Sequence, residues 1–243
     1  MAELSFDGSL QLPIEDQNQI ARSIKERVFT GSPEIVIDGV LELVREGWQD
    51  RGYFKTEVSG EPKILTTGPA SRRIAIAIHI DEGEQYRLGG IDFRHNKVLT
   101  NKEALRNLFP IKDGEITSHE RIAQGLASLN KAYEAQGFIN ATFVPEPHFD
   151  DGQHTVSFII DVNEGKQFYI SSISLIGESE ADLTAASQDL TFKVGQQYNQ
   201  NLVDLFLAKH PPTVFDDSTT ARRFDLNKGT VDIALDIRQC QSI

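Results

Sequence analysis

The side chains that could carry metal or catalytic chemistry in this chain are six histidines, and their spacing does not build a site. A metal site on a helix typically places two histidines at i and i+4. No pair here has that spacing, and the histidines are scattered as His79, His95, His119, His148, His154 and His210. His148 and His154 flank a predicted hairpin, where a two-residue loop would put them on opposite faces.

Nucleophilic and phosphate chemistry also lack their usual sequence signals. The single cysteine, Cys240, lies near the end of the chain without an evident histidine partner. No Gly-x-Ser-x-Gly motif occurs, and no glycine-rich phosphate loop follows a predicted strand. We therefore predict that the protein is not an enzyme, holds no metal or cofactor, and takes no small-molecule substrate.

The acidic composition narrows the class of partner. The 243 residues carry a formal net charge of −12, which disfavours nucleic acid and anionic membranes because both are bound mainly through Lys and Arg. The sequence has neither a run of 18 apolar residues nor a basic-then-apolar start. We expect either a cytosolic protein or a trimmed or mature form, and an early strand at residues 4–7 favours trimming.

Two stretches, residues 80–86 and 162–168, share the pattern Glu-Gly-x-x-aromatic. Their glycines, Gly83 and Gly165, lie 82 positions apart, and each stretch joins an alternating apolar strand to another strand. A junction that recurs at domain spacing indicates a tandem array, which typically binds partners along its length. The predicted modules are residues 1–84, 85–166 and 167–243.

Each module has the predicted order strand, helix, helix, strand, strand. In the middle module, residues 100–103 and 117–120 have capping-box patterns in which Thr100 and Thr117 would cap two helices. Gly137 then ends the second helix.

The outer modules follow the same order with local differences. In the first, Ser32 precedes a proline at the first helical position, and residues 59–71 are predicted to form a long loop. In the third, Pro211 and Pro212 replace the glycine-aromatic helix end.

Strict alternation in the last strand of each module predicts a sheet covered by helices on one face only. The apolar sets are Ile74, Ile76, Ile78 and Ile80; Val156, Phe158, Ile160 and Val162; and Val231, Ile233, Leu235 and Ile237. This strand belongs in the centre, which gives the spatial order 1-3-2. We expect the first strand to be parallel to the second and the third antiparallel to both. The predicted fold class is α+β, three tandem two-layer β-α-α-β-β modules, each a three-stranded mixed sheet packed on two helices.

The ordered set of motifs resembles tandem POTRA (polypeptide-transport-associated) modules of the BamA-like outer-membrane assembly family. The resemblance rests on residues 91–93, residues 96–97, the turn at 112–114, the helix end at 133–138 and the strand end at 162–165. The middle module matches closely, the first matches well, and the third has the departure noted above.

The resemblance implies a periplasmic location, associated with the outer membrane through a β-barrel following this chain. It also implies binding of unfolded outer-membrane proteins or assembly partner proteins by strand addition at sheet edges. The matching second-strand segments are Lys55, Thr56, Glu57 and Val58; Ala141, Thr142, Phe143 and Val144; and Arg222, Arg223 and Phe224. The predicted inter-module hinges are Gly83, Glu84, Gly165 and Lys166.

Two other interpretations stay open. The charges on these edges also suit a solvated edge protected against pairing. The array could instead be a docking scaffold or spacer for one folded partner, as in two-partner secretion or cell-division relatives of the same module. A broad preference for unfolded chains would favour the first function, and one tight folded partner the second.

Overall fold

The structure is a computed structural model that describes residues 2–67, 72–177, 179–210 and 220–238. The chain forms two compact units. Unit 1 contains Met1–Ile91, Phe109–Gly125 and Pro147–Ile159, and unit 2 contains Asp92–Leu108, Leu126–Glu146 and Ile160–Ile243. Each unit combines one terminal repeat with part of the middle repeat, so the module boundaries given by the repeat stay a prediction.

The helices and strands follow the predicted order three times. In chain order they are β1 (Ala2–Asp7), α1 (Ile14–Lys25), α2 (Pro33–Gln49), β2 (Glu57–Thr67), β3 (Arg72–Asp81), β4 (Arg87–Arg94), α3 (Lys102–Arg106), α4 (His119–Glu134), β5 (Thr142–Asp150), β6 (Thr155–Asn163), β7 (Tyr169–Ile176), α5 (Glu180–Asp189), α6 (Gln200–Lys209), β8 (Thr220–Asp225) and β9 (Thr230–Asp236). No helix in the described ranges is both long and apolar enough to cross a membrane.

The sheet orders are β1-β3-β2, β4-β6-β5 and β7-β9-β8, which confirms the predicted order and the α+β class. The predicted antiparallel pairing of the second and third strands is confirmed for β2 with β3 and for β8 with β9, but the predicted direction of the first strand is wrong. The first strand is parallel to the central third strand, as β1 is to β3 and β7 is to β9, while β2 and β8 run antiparallel to the centre. Two successive helices reverse the chain twice, so the second strand starts where the first ended and runs back.

The predicted loop at residues 59–71 is also wrong over most of its length. β2 extends to Thr67 and pairs antiparallel with β3, with one irregularity between Ile64 and Thr66. The strand tolerates Pro62 because the outer side of an edge strand need not donate hydrogen bonds. Residues 68–71, Pro211, Pro212 and Cys240 lie outside the described residues.

Both predicted helix caps lie one residue later than expected. The Asn101 side chain accepts a hydrogen bond from Ala104 N at 3.0 Å, and the Ser118 hydroxyl accepts one from Arg121 N at 3.2 Å. Asn and Ser are stronger N-caps than Thr, which explains the shift. Gly137 does end α4, with a left-handed φ of +78°.

The alternating residues of the central strands form the cores against the helices. In unit 1, Ile76, Ile78 and Ile80 pack with Trp48, which is fully buried and meets Phe6 edge to face at 5.1 Å. In unit 2, the buried side chains of β9 pack with those of β7 and α6. The helices thus cover one face of each of these sheets, and residues such as Asp232 lie exposed on the other.

Candidate interaction edges and module junctions

The first predicted edge segment is partly occupied by contacts within unit 1. Lys55 and Thr56 precede β2, and Glu57 and Val58 begin it. The Lys55 ammonium lies 2.7 Å from Asp151 Oδ1. The Thr56 hydroxyl is buried and donates toward backbone carbonyls, 2.7 Å from that of Tyr53 and 3.1 Å from that of Glu82. Only Glu57 and Val58 therefore belong to the edge strand itself.

The second and third segments divide their side chains between the two faces of the sheet. Ala141 is buried, Phe143 packs on Tyr133 with ring centroids 5.3 Å apart, and Thr142 and Val144 are exposed.

In the third segment, Phe224 packs edge to face on Phe168 and Tyr198, each at 5.7 Å. Arg222 and Arg223 are exposed, and Arg222 hydrogen bonds Gln200 at the start of α6.

Proline distinguishes the three second-strand edges. β5 contains Pro145 and Pro147, β2 contains Pro62, and β8 contains none. Proline has no N–H and occurs on edge strands with that position facing outward. Two alternate prolines therefore remove two successive outward donors from β5, whereas β8 keeps all of its own.

A backbone network joins the repeats at both Glu-Gly junctions. In unit 1, Tyr86 N donates to the carbonyl of Gly52 at 2.9 Å, Thr117 N donates to the Tyr86 carbonyl at 3.1 Å, and Arg87 N donates to the His154 carbonyl at 2.9 Å.

The same three bonds recur in unit 2, each 2.9 Å long. Phe168 N donates to the Gly137 carbonyl, Tyr198 N donates to the Phe168 carbonyl, and Tyr169 N donates to the Gly229 carbonyl. The aromatic residue of the repeated motif is thus a buried anchor that ties one module's helix end to the next module.

The glutamate of each Glu-Gly pair closes its own module. Glu82 is only 3% exposed, and its carboxylate accepts hydrogen bonds from Gln11 N at 2.6 Å, Leu12 N at 3.1 Å and Trp48 Nε1 at 2.8 Å. Sequence reasoning assigned this motif's importance to the glycine and missed the carboxylate. The recurrence of the glutamate at the same spacing was the available signal.

Glu164 repeats this arrangement in unit 2 in a more exposed setting. Its carboxylate accepts hydrogen bonds from Lys97 N and Val98 N, both at 2.7 Å, and from the Tyr133 hydroxyl at 3.2 Å. Burial, together with the charge of Glu164, raises the pKa of the Tyr133 hydroxyl well above its ordinary value. Both glutamates thus fix the loop after a first strand to an aromatic residue of the second helix.

The predicted hinge residues have partners on both sides of each junction. Gly83 and Gly165 adopt left-handed φ values of +63° and +67°. A carboxylate oxygen of Glu84 lies 3.7 Å from His154 Nδ1. Lys166 Nζ donates to the Asn227 carbonyl at 2.8 Å. The hinge role stays a prediction, and these contacts restrict the motion that it would allow.

The first junction also contains a helix cap supplied by the preceding module. Asp50, just after α2, accepts a hydrogen bond from Glu120 N at 2.6 Å in the first turn of α4. The corresponding residue at the second junction is Ala135, which has no acceptor, and α6 is capped locally by Asn199.

We predict that Asp50→Ala destabilises the first turn of α4 by about 1 kcal/mol, the usual cost of losing an N-cap acceptor. Hydrogen exchange at the Glu120 amide should quicken. Asp50→Asn, which keeps a side-chain oxygen, should stay close to the parent. Equal exchange in the Ala variant and the parent would contradict the capping role.

An ion cluster lies on the open face of the middle sheet in unit 2. Arg94 Nη2 donates to Glu146 and, at 2.7 Å, to Asp161, and His95 Nδ1 lies 2.7 Å from Asp161 Oδ1. These bonds, first that of Arg94 and then that of His95, lower the pKa of Asp161 to about 2.

The cluster predicts a loss of stability at acidic pH. A carboxyl whose pKa is lowered on folding stabilises the native state above its unfolded pKa, near 3.8, and this contribution disappears as pH falls toward about 2. Unfolding midpoints of the middle module should fall over that window in the parent and less steeply in Asp161→Asn. Titration of the Asp161 carboxyl near 3.8, followed by NMR, would refute this prediction.

Four histidines each lie beside a single carboxylate. The pairs are His79 with Asp7, His95 with Asp161, His154 with Glu84, and His210 with Asp189. Within the described ranges, no three His, Cys, Asp or Glu side chains group as metal ligands do. The loop that joins β5 to β6 has four residues, 151–154, and includes His154, so it is not the two-residue loop considered above.

Comparison with known proteins points to one family. Residues 86–165 match the POTRA family, described as the surface antigen variable number repeat. The chain is 25% identical over 228 residues to a candidate outer membrane protein assembly factor of Treponema pallidum (strain Nichols), covering 91% of this chain. It is 23% identical over 140 residues to the outer membrane protein assembly factor BamA of Neisseria meningitidis serogroup B, covering 58% of this chain.

The chain spans 26% of the length of the Treponema relative and 17% of the Neisseria relative. Its fold is similar to the crystal structure of Haemophilus influenzae BamA POTRA3-5, with a TM-score of 0.67, 17% identity, and coverage of 98% of this chain and 96% of that one. Residues 86–165 therefore match the POTRA family, and the fold of the chain over nearly its whole length is similar to that of the tandem POTRA domains of Haemophilus influenzae BamA.

Proposed function

We propose that this chain is a periplasmic scaffold of an outer membrane protein assembly machine, and that it holds extended segments of unfolded outer-membrane proteins by strand addition. The names of the Treponema and Neisseria relatives support the machine. The observation that carries the binding mode is the sheet order, which leaves the second strand at an edge in all three sheets. An edge strand presents backbone N–H and C=O groups that a further strand can pair with.

The three edges are not equal candidates on this proposal. β8 contains no proline, so every outward position of its backbone keeps its N–H donor. On β5, the segment Thr142–Val144 precedes the prolines and is available for short pairing, whereas the part from Pro145 onward is blocked. We expect β8 to bind the longest segment.

The junction contacts support a scaffold rather than a freely bending chain. Backbone bonds through Tyr86 and Phe168 tie each module to the next. Such contacts would limit bending within each junction while a client is passed along. The glycines Gly83 and Gly165 would then permit small changes of angle only.

The test is an NMR titration of the isotope-labelled chain with neutral peptides that alternate apolar and hydroxyl residues. A peptide of the same composition with its apolar residues grouped together is the control. We expect shifts in the second-strand segments with the alternating peptide and weaker shifts with the control. Absence of shifts at millimolar peptide would refute client binding and favour docking of one folded partner.

A further inference from the structure

The outer edge of β7 lacks the protection that the first strand has in the other modules. β7, Tyr169–Ile176, contains neither a charged residue nor a proline. Eighty-two positions earlier, β4 has Asp92 where β7 has Ser174, and Arg94 where β7 has Ile176. Edge charges are a usual device against unwanted strand pairing, and β7 has lost both.

Three charged residues of the other first strands lie beside an oppositely charged or titratable side chain. Asp92 accepts a bond from Lys102 Nζ at 2.6 Å, and Arg94 is bound to Asp161. β1 ends in Asp7, which contacts His79 at 2.6 Å. At the same end of β7 stands Ile176, whose side chain is 42% exposed.

The start of this edge already accepts a short strand of its own module. Ile170 N donates to the Gln196 carbonyl at 2.8 Å, and Gly195 N donates to the Ile170 carbonyl at 2.7 Å. Tyr169 pairs antiparallel with Gln197 in an isolated bridge. The outer side of β7 can therefore pair with another strand, and the chain itself already pairs there with Tyr169 and Ile170.

Beyond the irregularity that follows Ile170, the edge of β7 is regular and open among the described residues. After a bulge at Ser171, residues Ser172 to Ile176 pair in register with Asp232 to Asp236 of β9 on the inner side. In the part of the chain that the structure describes, no strand pairs with the outer side of this stretch.

The side chains of β7 define what an added strand must contain. Ile173 and Leu175 face the helices and are only half-buried against the core of the third module. Apolar residues of a neighbouring strand would complete that core. On the open face, Ser172 and Ser174 are exposed, and the Ser172 hydroxyl lies 2.6 Å from Asp232. Hydroxyl or amide side chains suit this face because they can hydrogen bond with the serines.

We propose that Ser171–Ile176 of β7 is a docking edge for an extended, uncharged segment of another polypeptide in which apolar and hydroxyl-bearing residues alternate. The inference rests on the proposed function only for the class of ligand. It assigns that ligand to the first-strand edge of the third module, not to the second-strand edges.

The test compares the parent with Ser174→Asp/Ile176→Arg, which places on β7 the charges that β4 has at Asp92 and Arg94. The probe is a neutral peptide of alternating valine and threonine, and binding is followed by amide shifts of the labelled full chain. We expect shifts across Ser171–Ile176 in the parent and binding about tenfold weaker in the double variant. Leu205→Arg, at an exposed position on the helix α6 and outside every predicted edge segment, should leave this binding unchanged.

Ile176→Arg alone, at an exposed position, provides a second variant if the double substitution disturbs folding, and its expected effect is about threefold. Shifts confined to β2, β5 or β8 and insensitive to these variants would overturn the β7 site and leave the proposed function standing. Absence of shifts on every edge would overturn both. Concentration-dependent shifts of Ser171–Ile176 without peptide would identify a second copy as the occupant and overturn the proposal.

Discussion

Glu82→Ala is expected to destabilise the first module by about 3 to 5 kcal/mol, because it leaves three donors without an acceptor and each buried unpaired group costs about 1 to 3 kcal/mol. The donors are Gln11 N, Leu12 N and the Trp48 indole. Trp48 is the single tryptophan of the chain, so its fluorescence during urea unfolding reports this module selectively.

Two variants serve as controls for Glu82→Ala. Glu82→Gln retains one acceptor oxygen and should lose clearly less stability than the alanine variant. Glu164→Ala removes the matching carboxylate in unit 2, where the Lys97 and Val98 amides are exposed, and should cost about 1 to 2 kcal/mol there. This variant should leave unchanged the urea midpoint of the unfolding transition that Trp48 fluorescence reports. Equal losses for the two alanine variants would refute the importance of burial.

Gly137→Ala is expected to destabilise the second junction by about 3 kcal/mol. The left-handed φ of +78° costs an L-residue about 1 to 2 kcal/mol. An added Cβ would also stand 2.9 Å from the Phe168 carbonyl oxygen and 3.1 Å from that of Tyr198, and such overpacking costs about 1 to 3 kcal/mol. Hydrogen exchange at the Phe168 and Tyr198 amides should increase.

Gly114→Ala separates the two contributions. Gly114 has a similar φ of +83°, but an added Cβ would meet nothing within 4 Å. It should therefore show only the backbone cost of about 1 to 2 kcal/mol. If Gly137→Ala were no worse than Gly114→Ala, the close approach of the two modules at Gly137 would not matter for stability.

Several features of this protein follow from local sequence alone. Alternation places Ile76, Ile78 and Ile80 on a buried face because successive side chains of a strand point to opposite sides. The strength of that apolar face puts the third strand in the centre. The spacing of Gly83 and Gly165 reveals the repeat, because each module needs the same strand end.

Predictions from local patterns were wrong where pairing with another strand, or a better capping residue next in the chain, decided the local structure. Gly60 and Pro62 favour a loop in isolation, yet pairing with β3 makes them part of an edge strand. Thr100 and Thr117 fit capping boxes, but the adjacent Asn101 and Ser118 make the cap bonds.

The sequence by itself determined the order of strands and helices within each module, the alternation of side chains along the strands, the order of strands within each sheet and the glycine that ends a helix. Each of these features is read from residues that lie close together in the chain. Tertiary structure alone decided which polar groups meet across long sequence distances. Glu82 reaches the loop at Gln11 and Leu12, and Asp50 caps a helix of the next module. It also decided which edges stay open among the described residues, because the local sequence of β7 does not show whether another strand covers its outer side. Contacts between residues 70 or more positions apart carry no local pattern, so folding alone brings them together.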